Sequence, residues 1–212
     1  MPIGAGEPNS HGHGPIVGVL ALQGAFEVHQ QRLHHLGVRA PLIRTPRELD
    51  TVDAVVLPGG ESTTMSRLLT TSGLFDVLKG RLADGMPVFG TCAGMILMAK
   101  EVADGVPGQP TLGLMDIAVR RNAFGRQVDS FEADLDIPAL GARPFHTVFI
   151  RAPLILQVGK NVEVLAQLDD GGVEVVRNGR RRDLGEREGS PVGPDLGHDL
   201  LEPRRRDGAR DQ

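Results

Sequence analysis

A chain of 212 residues is sized for one domain with a substantial core, since domains commonly run from roughly 100 to 200 residues. Hydrophobic residues at 40% and charged residues at 24% exclude a wholly disordered, collagen-like or disulfide-stapled chain. A net charge of -4 with seven Phe and no Trp or Tyr argues against nucleic-acid grooves built on basic residues and stacking rings, and one cysteine excludes an internal disulfide or a Cys-rich zinc site.

Residues 1–15 lack the basic start and apolar stretch of a secretory signal and read as a flexible tail. His11 and His13 there sit in a Gly-rich setting that reads as mobile rather than metal-binding. No apolar run approaches the roughly 18 residues of a membrane helix, and a lone thiol fits a reducing compartment, so the expected location is cytoplasmic, with no membrane and no nucleic acid among the partners. The run Ile16 to Leu22 is apolar and β-branched, as expected of a strand buried on both faces, and ends at Gln23-Gly24. Ala25 to Leu36 places Val28, Leu33 and Leu36 at helical spacing and stops at Gly37. Val38 to Ile43 predicts a second strand, Arg47 to Val52 a short helix, and Ala54 to Leu57 a third strand ending in Pro58-Gly59-Gly60. Helical patterns follow from Ser62 and over Leu74 to Ala83, then a fourth strand over Pro87 to Thr91 and a helix over Ala93 to Val102. This alternation predicts a doubly wound α/β sheet. Beyond Gly105 the pieces are strand-like: Leu114 to Arg120, Gln127 to Leu135, His146 to Arg151, Val162 to Leu168 and Val173 to Arg177. Residues 178–212 are Arg-, Gly- and Pro-rich with no apolar periodicity and read as a disordered tail, which leaves 16–177 as the folded domain.

The cysteine stands in Gly90-Thr91-Cys92-Ala93-Gly94, between a predicted strand and a predicted helix. Free cysteine is more often buried filler. Here the flanking glycines let the backbone turn sharply and hold the thiol over the carboxyl edge of the sheet, at a helix start where the dipole favours the thiolate, so Cys92 is the expected nucleophile. The loop Pro58-Gly59-Gly60-Glu61-Ser62-Thr63-Thr64 also leads from a strand into a helix. It has no Lys and is not a P-loop. Its glycines can expose N–H groups for an oxyanion, and Ser62 can serve as N-cap or substrate contact. Met95, Leu97 and Met98 read as core.

Five strings in order carry a resemblance: Gly18 to Gly24 (GVLALQG), Pro58 to Met65 (PGGESTTM), Gly90 to Met95 (GTCAGM), Arg121 to Glu132 (RNAFGRQVDSFE) and Val148 to Pro153 (VFIRAP). Together they resemble the glutaminase subunits of the two-component pyridoxal 5′-phosphate synthase, a branch of the class I, triad-type glutamine amidotransferases. The likeness covers about Ile16 to Arg177. It implies a class I glutamine amidotransferase-like (flavodoxin-like) three-layer α/β sandwich with a mostly parallel central sheet. It implies that Cys92 attacks the side-chain amide of L-glutamine, that the N–H groups of Gly60 and Ala93 hold the oxyanion, and that Gly60, Glu61, Ser62, Arg121, Ile150 and Arg151 bind the substrate. An arginine there suits a carboxylate, with which its planar fork pairs bidentately. The implied partner is the synthase subunit, which receives the ammonia and switches the glutaminase on by docking. Gln23-Gly24 and the Arg121 to Gln127 loop remain open as docking elements, and no cofactor or metal is implied.

The chain departs from the family at one place. The family's last core strand closes on Ser-Phe-His-Pro-Glu, whose His and Glu complete the triad, and no His-Pro-Glu occurs in this sequence. His146 matches a different family position, His34 and His35 lie on an early predicted helix and His198 has no Glu two residues on, so none matches the triad base, which is left unassigned. An Arg-, Gly-, Pro- and Asp-rich stretch is what an out-of-frame reading of GC-rich DNA yields, and resequencing the gene tests that origin. Taken as written, the chain is expected to show an open sheet edge and low solubility or activity. Two further readings stand beside the glutaminase. One is a glutaminase-like module that docks or binds glutamine without turnover, favoured by the missing base; the other is another cysteine hydrolase on a similar sheet, disfavoured by Arg121 and Ile150-Arg151.

Overall fold

A computed structural model describes residues 14–121, 131–149, 152–168 and 172–178. Most of the expected N-terminal tail, residues 122–130, Ile150, Arg151 and the stretch from 179 onward lie outside the described residues. The first half alternates as β1 (Val17–Leu20), α1 (Phe26–His35), β2 (Leu42–Ile43), α2 (Pro46–Leu49), β3 (Ala54–Leu57), α3 (Ser62–Thr71), α4 (Leu74–Ala83), β4 (Val88–Gly90) and α5 (Ala93–Met98). The four strands form one parallel sheet in the order β2-β1-β3-β4.

Side-chain alternation along the strands assigns the two faces of this sheet. Val19 and Val56 pack towards α1 with Phe26 and Leu33. Leu20, Val55 and Leu57 pack towards α3, α4 and α5 with Met65, Leu69, Leu78 and Leu97, most of them fully buried. Each such leucine contributes about 1.5–3 kcal/mol on leaving water. The result is the expected helix–sheet–helix sandwich, with one amendment at α1. Val28 is 59% exposed and Leu36 also faces solvent, so the apolar side of that helix is Phe26 and Leu33 rather than the Val28, Leu33, Leu36 stripe.

A second amendment concerns the helix expected over Ala93 to Val102. It stops at Met98, and Ala99–Val102 becomes β5, parallel to β6 (Met115–Arg120). Tertiary pairing overrides helix propensity here: Ala99 takes an extended conformation, and it joins Ile96, Ile117, Val119 and Ile155 in a separate core. A hairpin of β7 (Phe131–Leu135) and β8 (Phe145–Phe149) follows, closed by stacked Phe131 and Phe149 rings 4.7 Å apart. Next come β9 (Leu154–Val158), β10 (Val162–Gln167) and β11 (Val173–Asn178), giving a five-stranded sheet in the order β10-β11-β9-β6-β5. The strand-rich second half is therefore as expected, with β9 added. No helix among the described residues is long and apolar enough to cross a membrane.

Candidate active site

The order β2-β1-β3-β4 reverses direction between β1 and β3, and ligands of open α/β sheets bind at the carboxyl ends of strands beside such a switch point. Three loops leave adjacent carboxyl ends here: 21–25 after β1, 58–61 after β3 and 91–92 after β4. They touch one another through glycines. Gly24, at φ +94°, lies so close to Gly59 that a Cβ there would collide with the Gly59 carbonyl. The same carbonyl accepts from Ala25 N–H at 2.9 Å. A Cβ on Gly60 would stand 2.5 Å from Gln23 Oε1, and that oxygen accepts from the Glu61 N–H at 2.9 Å. Gly59 in turn faces Cys92: a Cβ built on Gly59 would lie 3.4 Å from the Cys92 Cβ.

Cys92 occupies the N-cap of α5 at φ 49° and ψ −106°, and among the described residues it is the non-glycine residue with positive φ. Local geometry forces this turn. Thr91 N–H donates to the Leu57 carbonyl at 3.1 Å and extends the β3–β4 pairing, whereas Gly94 N–H folds back to the Thr91 carbonyl at 2.8 Å. A side chain on Gly94 would collide with the Leu57 backbone, so only glycine allows α5 to sit against β3. The thiol is free and exposed. Among the described residues, neither the Gly60 nor the Ala93 N–H has an acceptor. Both N–H groups are thus unspent among the described residues, Ala93 directly after Cys92 and Gly60 against Gln23 and Gly24.

The α3 start differs from expectation. Glu61, not Ser62, caps the helix, its carboxylate accepting from Thr63 N–H at 3.1 Å and Thr64 N–H at 2.6 Å. Burial raises the Glu61 pKa, but the Thr64 and Thr63 hydrogen bonds outweigh it and hold the group at about 2. Ser62 is buried, and its Oγ has no partner among the described residues. Arg121, directly after β6, reaches back to this cap: its Nη2 donates to Glu61 Oε1 at 2.8 Å, and its backbone N–H is held by Asp104 Oδ1 at 2.6 Å. The structure therefore brings Cys92, Gly60, Ala93, Glu61, Ser62 and Arg121 to one sheet edge. Ile150 and Arg151 lie outside the described residues.

Two contacts escaped the sequence. His29 of α1 places Nε2 3.1 Å from Thr91 Oγ1, and burial lowers its pKa. Gln109, in the loop between β5 and β6, meets both Arg121 and Thr63 through its amide oxygen. Neither follows a periodic pattern. On α1, His29 shares a face with the packed Phe26 and Leu33, three residues after one and four before the other. His146 belongs elsewhere, on the β7–β8 hairpin, where Asp134 at 2.8 Å raises its pKa and Glu132 assists. The described residues hold no cluster of three or more His, Cys, Asp or Glu suited to a metal ion.

Residues 19–185 match the model of the SNO glutamine amidotransferase family. The chain is 58% identical over 165 residues to "Pyridoxal 5'-phosphate synthase subunit PdxT" of Herpetosiphon aurantiacus, covering 77% of this chain and 87% of that one. The protein of the same name from Pelotomaculum thermopropionicum is 57% identical over 164 residues, covering 77% and 82%. A solved structure titled "Crystal structure of glutamine amidotransferase" superposes with a TM-score of 0.72 at 48% identity, covering 77% of this chain and 85% of that one.

Proposed function

The chain belongs to the SNO glutamine amidotransferase family, and from that premise we propose that it hydrolyses the side-chain amide of L-glutamine and delivers the ammonia to the synthase subunit that makes pyridoxal 5′-phosphate. The observation that carries this reading is the strained Cys92 turn facing Gly59 at the sheet's switch point. In this reading the Cys92 sulfur adds to the amide carbon, and the oxyanion meets the N–H groups of Gly60 and Ala93. Collapse of the adduct breaks the carbon–nitrogen bond; ammonia leaves with the thiol proton and a γ-glutamyl thioester remains. Water then releases glutamate and restores the thiol. Arg121 and Glu61 serve the two charged ends of the substrate, the guanidinium taking the α-carboxylate and the carboxylate the α-ammonium, with Ser62, Ile150 and Arg151 completing the pocket. The domain doing this is residues 16–177, and its setting is the cytoplasm, where a lone thiol stays reduced.

The family's histidine base has no matching string in this sequence, so the reading gives that role to no residue. Ammonia release from glutamine by the 212-residue chain, with and without the synthase subunit, tests the whole proposal. Partner-dependent release abolished by Cys92→Ala is the expected outcome. Intact docking without release would leave a fold that binds its partner but performs no chemistry.

A further inference from the structure

Arg121 is unusually well held for a residue expected to grip a substrate. Its side chain is 15% exposed, against 47% for its partner Glu61. Nη2 donates to Glu61 Oε1 at 2.8 Å, and Nη1 donates to Gln109 Oε1 at 3.2 Å. A guanidinium carries only donors, so the Gln109 atom facing it must be the amide oxygen, and the orientation of that amide is fixed by chemistry. The Thr63 hydroxyl donates to the same oxygen at 3.1 Å, tying the loop between β5 and β6 to the first turn of α3. The cost falls on the other end of the amide: Gln109 Nε2 is buried with no partner among the described residues. A buried amide nitrogen without an acceptor is costly, and such an atom in a native structure calls for an explanation.

We propose that Gln109 is a positioning residue of the glutamine site, its amide oxygen fixing the plane of the Arg121 guanidinium so that the remaining donors face the substrate carboxylate. This rests on the glutaminase reading of the site. A guanidinium has five N–H donors, and two acceptors on two different nitrogens define its plane while leaving three donors for a ligand. A planar fork binds a carboxylate well only when its plane is preset, because holding it costs less entropy per bond formed. Thr63 contributes by holding the oxygen itself. Glu61 alone fixes one nitrogen and leaves the guanidinium free to swing about that bond.

The test uses the full chain with its synthase subunit and compares Gln109→Met, which keeps the side-chain length but removes the oxygen, with Thr63→Val, which removes only the outer hold. Calorimetric titration with L-glutamine is set against L-glutaminamide, which has the same side chain but no carboxylate. Alkylation of Cys92 by iodoacetamide reports on the cysteine loop independently of Arg121. The expected result is an approximately tenfold rise in the glutamine Kd for Gln109→Met, a smaller rise for Thr63→Val, and little change in glutaminamide binding or alkylation rate. Equal weakening for both ligands, or faster alkylation, would make Gln109 a merely structural residue and overturn the proposal. So would glutamine binding that survives Gln109→Met unchanged. Absence of glutamine binding by the unsubstituted chain would remove the glutaminase reading and this inference with it. Should Gln109→Met not fold, Thr63→Val carries the same comparison.

Discussion

At the scale of single residues, strain and capping meet at the same edge. A non-glycine residue in a sparsely populated backbone region costs on the order of 1–3 kcal/mol. Cys92 pays this at φ 49° and ψ −106°. Cys92→Gly releases that strain while adding roughly 0.5–1 kcal/mol of chain entropy to the unfolded state, so the variant is expected to melt a few degrees higher than the parent. Calorimetry checks this, and an unchanged or lower Tm would show an unstrained turn. Glu61 gives a pH prediction of definite sign. Its folded pKa of about 2 lies below its ordinary value, so its contribution is present above about 4.5 and is lost as the pH falls towards 2. Glu61→Gln should therefore be less stable than the parent at pH 7 in urea titrations, and the two should converge near pH 2. The carboxylate is about half exposed, which keeps the difference modest.

Among the elements, α5 decides whether the site exists. The Gly94 position presses against the Leu57 backbone, and Gly90 has Met98 and Gly94 against it in the same way. Gly94→Ala must push α5 away from β3, costing about 1–3 kcal/mol, and should lower the Tm and the Cys92 alkylation rate together. A drop in Tm with unaltered alkylation would separate helix packing from thiol presentation. The elements also mark how far the sequence could be read. β1, β3, α3, α4 and β4 are legible because apolar runs and their Gly or Pro stops coincide. β5 is illegible because Ala99-Lys100-Glu101-Val102 favours a helix in isolation, and only β6, more than ten residues away, makes it a strand. β9 escaped because Leu154-Ile155-Leu156-Gln157-Val158 alternates weakly and follows a proline. Within the site, Cys92, Gly60 and Arg121 stand in local strings, whereas His29 and Gln109 gain meaning only from partners on other loops.

For the whole molecule, the sheet order leaves β4 at the edge of the parallel sheet among the described residues, with Phe89 60% exposed upon it. An apolar edge strand is a template for pairing with another chain. Phe89→Lys should raise the concentration at which light scattering first detects association, with the stability changed by no more than about 0.5 kcal/mol. Unaltered association would show that this edge is covered in solution. The exposed thiol two positions beyond β4 has one more consequence. With one cysteine and neither Trp nor Tyr in the chain, a single maleimide dye would mark one defined atom against an optically silent protein. The same solitude leaves no second thiol to form a protective disulfide. Oxidation past the sulfenic stage at that sulfur would be irreversible and would end the protein's thiol chemistry in one event.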